Sequence, residues 1–115
     1  LQPPGGAFSQ VDVGTSAACA LDPDGRVTCW GGETVNPIST SAPSTRFSFL
    51  TVGTWHACGL TDDGVVECWG NDLNGELDVP DATFEQVHAG HHATCGVTDD
   101  ERLLCWGTLD FEWVP

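Results

Sequence analysis

Hydrophobic and polar residues alternate in three short segments of the chain that resemble one another. The segments are FSQVDVG, FSFLTVG and FEQVHAG, at residues 8–14, 47–53 and 84–90. Each places an aliphatic residue at the same position, and the three residues are Val11, Leu50 and Val87. Alternation over so few residues, ended by a glycine, is typical of a half-buried β-strand. The pattern therefore predicts three equivalent short strands.

A second recurring segment follows each of these strands and predicts a β-hairpin. It reads CALDPDGRVTCWG, CGLTDDGVVECWG and CGVTDDERLLCWG at residues 19–31, 58–70 and 95–107. In the first copy Pro23 suits the first position of a type I turn, and Gly25 suits the left-handed position that closes it. Asp22 then lies opposite Arg26. The third copy has Glu101 in place of the glycine, so we expect a strained or altered turn there.

This register places the two cysteines of each hairpin opposite each other. At a non-hydrogen-bonded pair the Cα atoms approach to about 4.5 Å, near the short end of the disulfide range. Structural zinc sites usually space their cysteines two to four residues apart, which does not occur here. Each disulfide would contribute roughly 2–3 kcal/mol by restricting the unfolded chain. We therefore predict three cross-strand disulfides: Cys19–Cys29, Cys58–Cys68 and Cys95–Cys105.

Prolines and phenylalanines extend the repeat beyond the hairpin. Each unit begins at a proline and has a phenylalanine four residues later; the pairs are Pro4 and Phe8, Pro43 and Phe47, and Pro80 and Phe84. The chain is thus expected to form a single repeat domain, residues 1–115, of three units at about 4–42, 43–79 and 80–115. Each unit contains a strand, a tight loop, a strand, a three-residue turn, a strand and a long polar connection. This organisation is typical of a propeller or a solenoid.

The second unit resembles a repeat of the regulator of chromosome condensation family. In that family Phe-x-x-Val, Gly-x-x-His, an Asp-Gly turn, Trp-Gly and Asn-x-x-Gly-x-Leu mark one propeller blade. The matching residues include His56, Trp69, Asn71, Gly75 and Leu77. The outer units have Ala17 and Ala93 instead of the histidine and lack the Gly-x-Leu segment. The resemblance implies an all-β fold of three antiparallel β-propeller blades, and a structural hydrogen-bonding role for His56.

The number of units differs from the seven blades that the resemblance implies. Closed propellers typically have about four to eight blades, so three units do not close a ring. The chain is then a fragment of a larger protein, one of two copies in a six-bladed ring, or an open stack. An isolated stack leaves two end faces without a neighbour, which favours self-association.

The net charge is −14, from 17 acidic residues against three arginines and no lysine. A charge of this sign argues against nucleic acid and anionic membrane surfaces as partners, and no hydrophobic run is long enough for membrane insertion. Strong acidity is typical of a solvated surface, while adaptation to high salt and weak divalent-cation binding stay open. Paired cysteines indicate an oxidising compartment, so we expect a mature secreted or cell-surface segment whose signal peptide was removed.

The loops that follow the glycines of the first strands are the best candidates for binding. Their contents vary on a repeating scaffold, and repeat proteins place recognition on such loops. An exposed tryptophan near two histidines favours a contact patch for a protein or for another copy of the chain. Loop residues without any role would give the same pattern. The candidate residues are Thr15, Ser16, Thr54, Trp55, His91 and His92.

Other patterns favour structure over ligand binding. The repeated tryptophans Trp30, Trp69 and Trp106 are expected in the core. The segment at 72–78 lacks the alternating ligands of a calcium loop. A run rich in Ser, Thr and Pro at 36–45 is typical of a flexible or O-glycosylated connection. No metal site or cofactor is therefore expected.

Catalytic motifs are absent from the sequence: it has no nucleophile elbow, phosphate-binding glycine loop or zinc-protease helix. Paired cysteines would leave no thiol to act as a nucleophile. We therefore expect a secreted, non-catalytic module that binds protein or assembles with itself. A carbohydrate-binding module that uses Trp55 is the alternative. A metal-dependent enzyme built around His88, His91 and His92 is a third hypothesis.

Overall fold

The computed structural model describes residues 6–14, 17–31, 43–70, 79–90 and 93–107, and every regular element within them is a β-strand. Nine strands form three sheets, each made of three consecutive antiparallel strands. Their bounds are β1 (Gln10–Val13), β2 (Ala17–Leu21) and β3 (Val27–Gly31); β4 (Phe49–Val52), β5 (His56–Leu60) and β6 (Val66–Gly70); β7 (Phe84–Ala89), β8 (Ala93–Thr98) and β9 (Leu103–Gly107). The predicted all-β fold is confirmed. None of these described ranges contains a helix that could cross a membrane.

The hairpin of each sheet has the predicted turn and register. In the first sheet the Asp22 amide donates to the Arg26 carbonyl at 3.0 Å, and Gly25 has a φ of 86°. A side-chain oxygen also accepts from the backbone across each turn, from the Arg26 amide to Asp22 Oδ1 at 2.9 Å in the first sheet. Turn residues of the right types at the right spacing are thus enough to set the register of β2 and β3.

The third turn adopts the same shape with glutamate in place of glycine. Glu101 has a φ of 70°, the one positive φ at a non-glycine residue in the described ranges. The Thr98 hydroxyl accepts from the Arg102 amide at 3.0 Å and donates to the Asp100 carboxylate. That hydrogen bond from Thr98 lowers the pKa of Asp100, and the Arg102 guanidinium, 3.2 Å from the carboxylate, adds to the effect. The expected strained turn is confirmed.

All three predicted disulfides are present, and each joins the middle and outer strands of one sheet. They link Cys19 to Cys29, Cys58 to Cys68 and Cys95 to Cys105, with 4.0 Å between the Cα atoms of each pair. The bonded cysteines are directly opposite each other in the strand register. Each disulfide therefore cross-links two strands of the same sheet, and all six cysteines are paired in this way.

The sheets pack face to face in series, and the core lies between them. The first interface brings Leu50 and Trp69 of the second sheet against Cys19 and Leu21 of the first. The second interface is built in the same way from the second and third sheets, and includes Trp106. Two of the three tryptophans are buried as predicted. The prediction for Trp30 is wrong, because it is only half-buried; its counterparts are covered by the preceding sheet.

Candidate functional site

The inner strands β1, β4 and β7 lie side by side and are joined by side-chain hydrogen bonds to backbone. The Gln10 amide spans two backbone groups of one residue: its Nε2 donates to the Leu50 carbonyl at 2.8 Å, and its Oε1 accepts from the Leu50 amide at 3.0 Å. Asp12 Oδ2 accepts from the Val52 amide at 2.7 Å. Between the next two sheets Thr51 Oγ1 accepts from the Ala89 amide at 3.1 Å. These hydrogen bonds fix the position of each inner strand along its neighbour in the next sheet.

A buried histidine adds a polar contact between the second and third sheets. His56 Nε2 lies 2.6 Å from Thr94 Oγ1, and both side chains are buried. The equivalent positions between the first and second sheets are occupied by Ala17 and Ala57, which are also buried. A hydrogen-bonded pair at one interface thus replaces an apolar pair at the other. This agrees with the structural role that the family resemblance implies for His56.

Three glycines, each just before a candidate loop in the sequence, lie close together at one end of the inner strands. A Cβ added at Gly14 would lie 2.2 Å from the Gly53 carbonyl oxygen, and one at Gly53 would lie 2.2 Å from the Gly90 carbonyl oxygen. Such distances exclude any side chain, so the backbones of successive loops touch. The Thr54 amide also donates to the Gly90 carbonyl at 3.1 Å. The loop that begins at Thr54 is therefore held against Gly90 of the third sheet.

The described part of this loop surface centres on Thr54 and Trp55, both of which are half-buried. Beside them lies a depression of about 360 Å³, lined by the three glycines, Thr54 and the ends of the inner strands. The other four predicted binding residues, at 15–16 and 91–92, lie outside the described residues. Trp55 is thus partly accessible to solvent, and it follows Thr54, which lines this depression.

The opposite end of the sheets carries an acidic groove between the second and third turns. The groove has a volume of about 410 Å³, and its acidic residues are Asp62, Asp63, Glu85 and Asp99. Its floor is set by a hydrogen bond of 2.8 Å from the Phe84 amide to the Gly64 carbonyl. Within the described ranges no three His, Cys, Asp or Glu side chains are arranged to hold a metal ion. The four carboxylates give this groove a negative electrostatic potential.

The histidines of the metal-enzyme hypothesis are only partly within the described residues. His88 is exposed on β7, and its ring meets the Phe49 ring edge-on with 6.3 Å between centroids. His91 and His92 lie outside the described ranges. The described contact of His88 is thus an aromatic one.

Sequence reasoning missed the side chains that hold one sheet on the next. Gln10 and Asp12 are the polar residues that alternate with Val11 and Val13 on β1, and alternation alone assigns such positions to solvent. Their partners are backbone groups 40 residues away. The only available signal was the repeat itself, which requires neighbouring units to pack.

Comparison with known proteins agrees with this architecture. The model of the regulator of chromosome condensation (RCC1) repeat matches residues 8–36 and 48–76, just over half of the chain. No curated protein matches the sequence. The CRINKLY WD40 ectodomain of the Arabidopsis thaliana receptor kinase ACR4 is 31% identical, with a TM-score of 0.78 over 88% of this chain and 37% of that one.

Two further solved structures share the fold. The ectodomain of the Physcomitrella patens receptor kinase CR4 is 34% identical, with a TM-score of 0.77 over 87% of this chain and 29% of that one. Yeast RCC1 (Prp20), solved bound to Kap60, is 21% identical, with a TM-score of 0.73 over 94% of this chain and 32% of that one. The chain spans about a third of the length of these proteins.

The three sheets are therefore blades of a β-propeller, each closed by one disulfide. Matching turn, strand and Trp-Gly positions extend through all three hairpins. The family model covers the first two of them. This chain belongs to the regulator of chromosome condensation (RCC1) repeat family.

Proposed function

We propose that this chain is a secreted, non-catalytic module that binds another protein through the loops between its inner and middle strands. The observation that carries the proposal is the close contact of Gly14 with Gly53 and of Gly53 with Gly90, which brings together the backbone positions just before the three loops. Rigid strands below and variable residues above are the arrangement by which repeat proteins recognise partners. The recognition residues are those of the loop pairs 15–16, 54–55 and 91–92.

Trp55 supplies the anchor of this surface. A tryptophan that is partly exposed beside a hollow offers a large apolar area at little entropic cost, and such residues dominate binding energies at interfaces. Thr54 is fixed by its amide hydrogen bond to Gly90, so the position of Trp55 is set before a partner arrives. Preorganisation of this kind lowers the entropic cost of association.

Secretion is supported by the three disulfides and by the kinship with two receptor ectodomains. Disulfides persist in oxidising compartments and are rare in the cytosol. A protein role is supported by yeast RCC1, which was solved in complex with Kap60. The net charge of −14 favours partners with basic surfaces.

The test is to select binders from a displayed library of extracellular protein domains and to compare their affinities for loop variants. We expect Trp55→Ala to weaken most selected binders by about tenfold or more, and Trp55→Gln, which replaces the ring with a flexible polar side chain, to do the same. Val65→Ala is the matched control, since Val65 is an exposed apolar residue on a different turn. Binders that tolerate both Trp55 variants would contradict the proposal.

A glycan array distinguishes the carbohydrate-binding alternative from the proposed protein binding, and it uses the same Trp55 variants. We expect no glycan to bind in a way that Trp55→Ala abolishes. A glycan whose binding depends on Trp55 would assign the loop surface to sugar and would overturn the proposal of a protein partner. Thermal unfolding of each variant checks that the fold is intact.

A further inference from the structure

The outer faces of the first and third sheets match the two halves of an interface that occurs twice within the chain. At each internal interface the inner strand of the later sheet packs aliphatic side chains onto the earlier sheet. Leu50 and Val87 are 0% exposed in this position, whereas Val11 of the first sheet is 58% exposed and its neighbour Val13 is 66% exposed. The first sheet therefore presents the aliphatic half of the interface to solvent.

The third sheet presents the other half. Gln86 pairs with Val97 in the same register in which Gln10 pairs with Leu21, and Gln86 is exposed. Gln10 uses its amide to hold both backbone groups of Leu50, so Gln86 carries the same amide at the same place. Leu103 is 57% exposed on this sheet. Its counterpart in the second sheet, Val66, is buried in the interface with the third sheet.

We propose that a second copy of this chain docks head to tail on the third sheet, with its Val11 and Val13 against that sheet. The Gln86 amide of one copy then holds the backbone of Val11 of the other, as Gln10 holds Leu50. Both halves of the contact are carried by every copy, and their internal counterparts already define its geometry. Because the two halves differ, identical halves do not fit each other and the contact is head to tail.

Glu101 makes this contact weaker than the internal ones. At the equivalent turn, Gly25 accepts from the Phe47 amide at 2.8 Å, and a Cβ on Gly25 would lie 2.7 Å from the Phe47 carbonyl oxygen. Glu101 has a similar positive φ but carries a Cβ, so the segment around Phe8 of the docked copy must shift. Replacing Glu101 by glycine removes that obstacle.

The test measures self-association of the disulfide-bonded chain by sedimentation equilibrium over a concentration series. Moderate salt is used because chains with a charge of −14 repel each other. We expect reversible association that Val11→Asp and Leu103→Asp each weaken by about tenfold or more. Gln86→Ala should weaken it as well, whereas Glu101→Gly should strengthen it by a similar factor. Val65→Asp, a change at a valine that is 50% exposed in the turn between β5 and β6, should leave it unchanged.

Mixing the two blocked variants tests the head-to-tail geometry. The Val11→Asp chain keeps an intact third sheet and the Leu103→Asp chain keeps an intact first sheet, so an equimolar mixture should form a one-to-one complex. All these positions are exposed, which keeps folding effects small, and thermal unfolding checks this. A wild type and a Glu101→Gly variant that both stay monomeric, or a mixture that stays monomeric, would overturn the proposal. Trp55→Ala should not alter the self-association. A negative result for self-docking is therefore distinguishable from a negative result for partner binding at the loops.

Discussion

Glu101 occupies a left-handed backbone position that its counterparts Gly25 and Gly64 adopt without steric cost. A residue with a Cβ is disfavoured there by about 1 kcal/mol. We therefore predict that Glu101→Gly raises the free energy of unfolding of the monomer by about 1 kcal/mol, measured by urea denaturation. Gly25→Ala should lower it by more, because its Cβ would meet the Phe47 carbonyl at 2.7 Å. Equal stabilities for wild type and Glu101→Gly would contradict this reading of the turn.

The hydrogen bond between His56 and Thr94 links two sheets inside the core. Both side chains are buried, so Thr94→Val removes a hydroxyl from the histidine while keeping the volume of the side chain. Loss of one partner from a buried polar pair costs about 1–3 kcal/mol. We predict a fall of this size in the free energy of unfolding, measured by urea denaturation. Thr28→Val, at an exposed position of β3, is the matched control, and equal losses at both sites would contradict the role of the pair.

At the scale of the strand, a glycine in the middle strand of the second and third sheets makes room for the phenylalanine near the start of the same unit. A Cβ at Gly59 would lie 2.5 Å from the Phe47 ring, and one at Gly96 would lie 2.6 Å from the Phe84 ring. The first sheet has Ala20 at this position, and its phenylalanine, Phe8, is 36% exposed. A methyl group at Gly59 or Gly96 would therefore clash with the ring in its present position.

We predict that Gly59→Ala lowers the free energy of unfolding by about 1–3 kcal/mol, because overpacking forces the Phe47 ring out of its site. Thermal or urea denaturation measures the change. Ala20→Gly, the reverse substitution in the first sheet, is the control and should cost less than 1 kcal/mol, roughly the effect of glycine in a strand. A Gly59→Ala variant as stable as the wild type would show that the ring contact does not matter.

The strands, turns and disulfides could be predicted from the sequence because they depend on residues that are close together in the chain. The turn at Asp22–Arg26 fixes the register of β2 and β3, and that register alone pairs Cys19 with Cys29. The burial of Trp30 could not be predicted in the same way. Its exposure depends on whether a preceding sheet covers it, and repetition of the residue gives no information on that point.

For the whole molecule, the repeat predicts that the sheets stack but not what holds them. The loop pair at 54–55 is proposed for binding because its residues vary while the strands around it repeat. Gln10 and Asp12 were missed because their partners are backbone groups of a distant strand, which no side-chain pattern reveals. The stacking of inner strands in turn places the three glycines in contact, and the loop surface and the proposed docking of a second copy both depend on it.

Hydrogen exchange at the Leu50 amide tests this stacking most directly. Leu50 donates to the Gln10 side chain and not to a neighbouring strand, so protection of this amide requires the first and second sheets to be packed as described. We predict strong protection in the wild type and exchange at least about tenfold faster in Gln10→Ala, with no change in Gln86→Ala. Rapid exchange at Leu50 in the wild type, or no response to Gln10→Ala, would contradict the serial packing of the sheets.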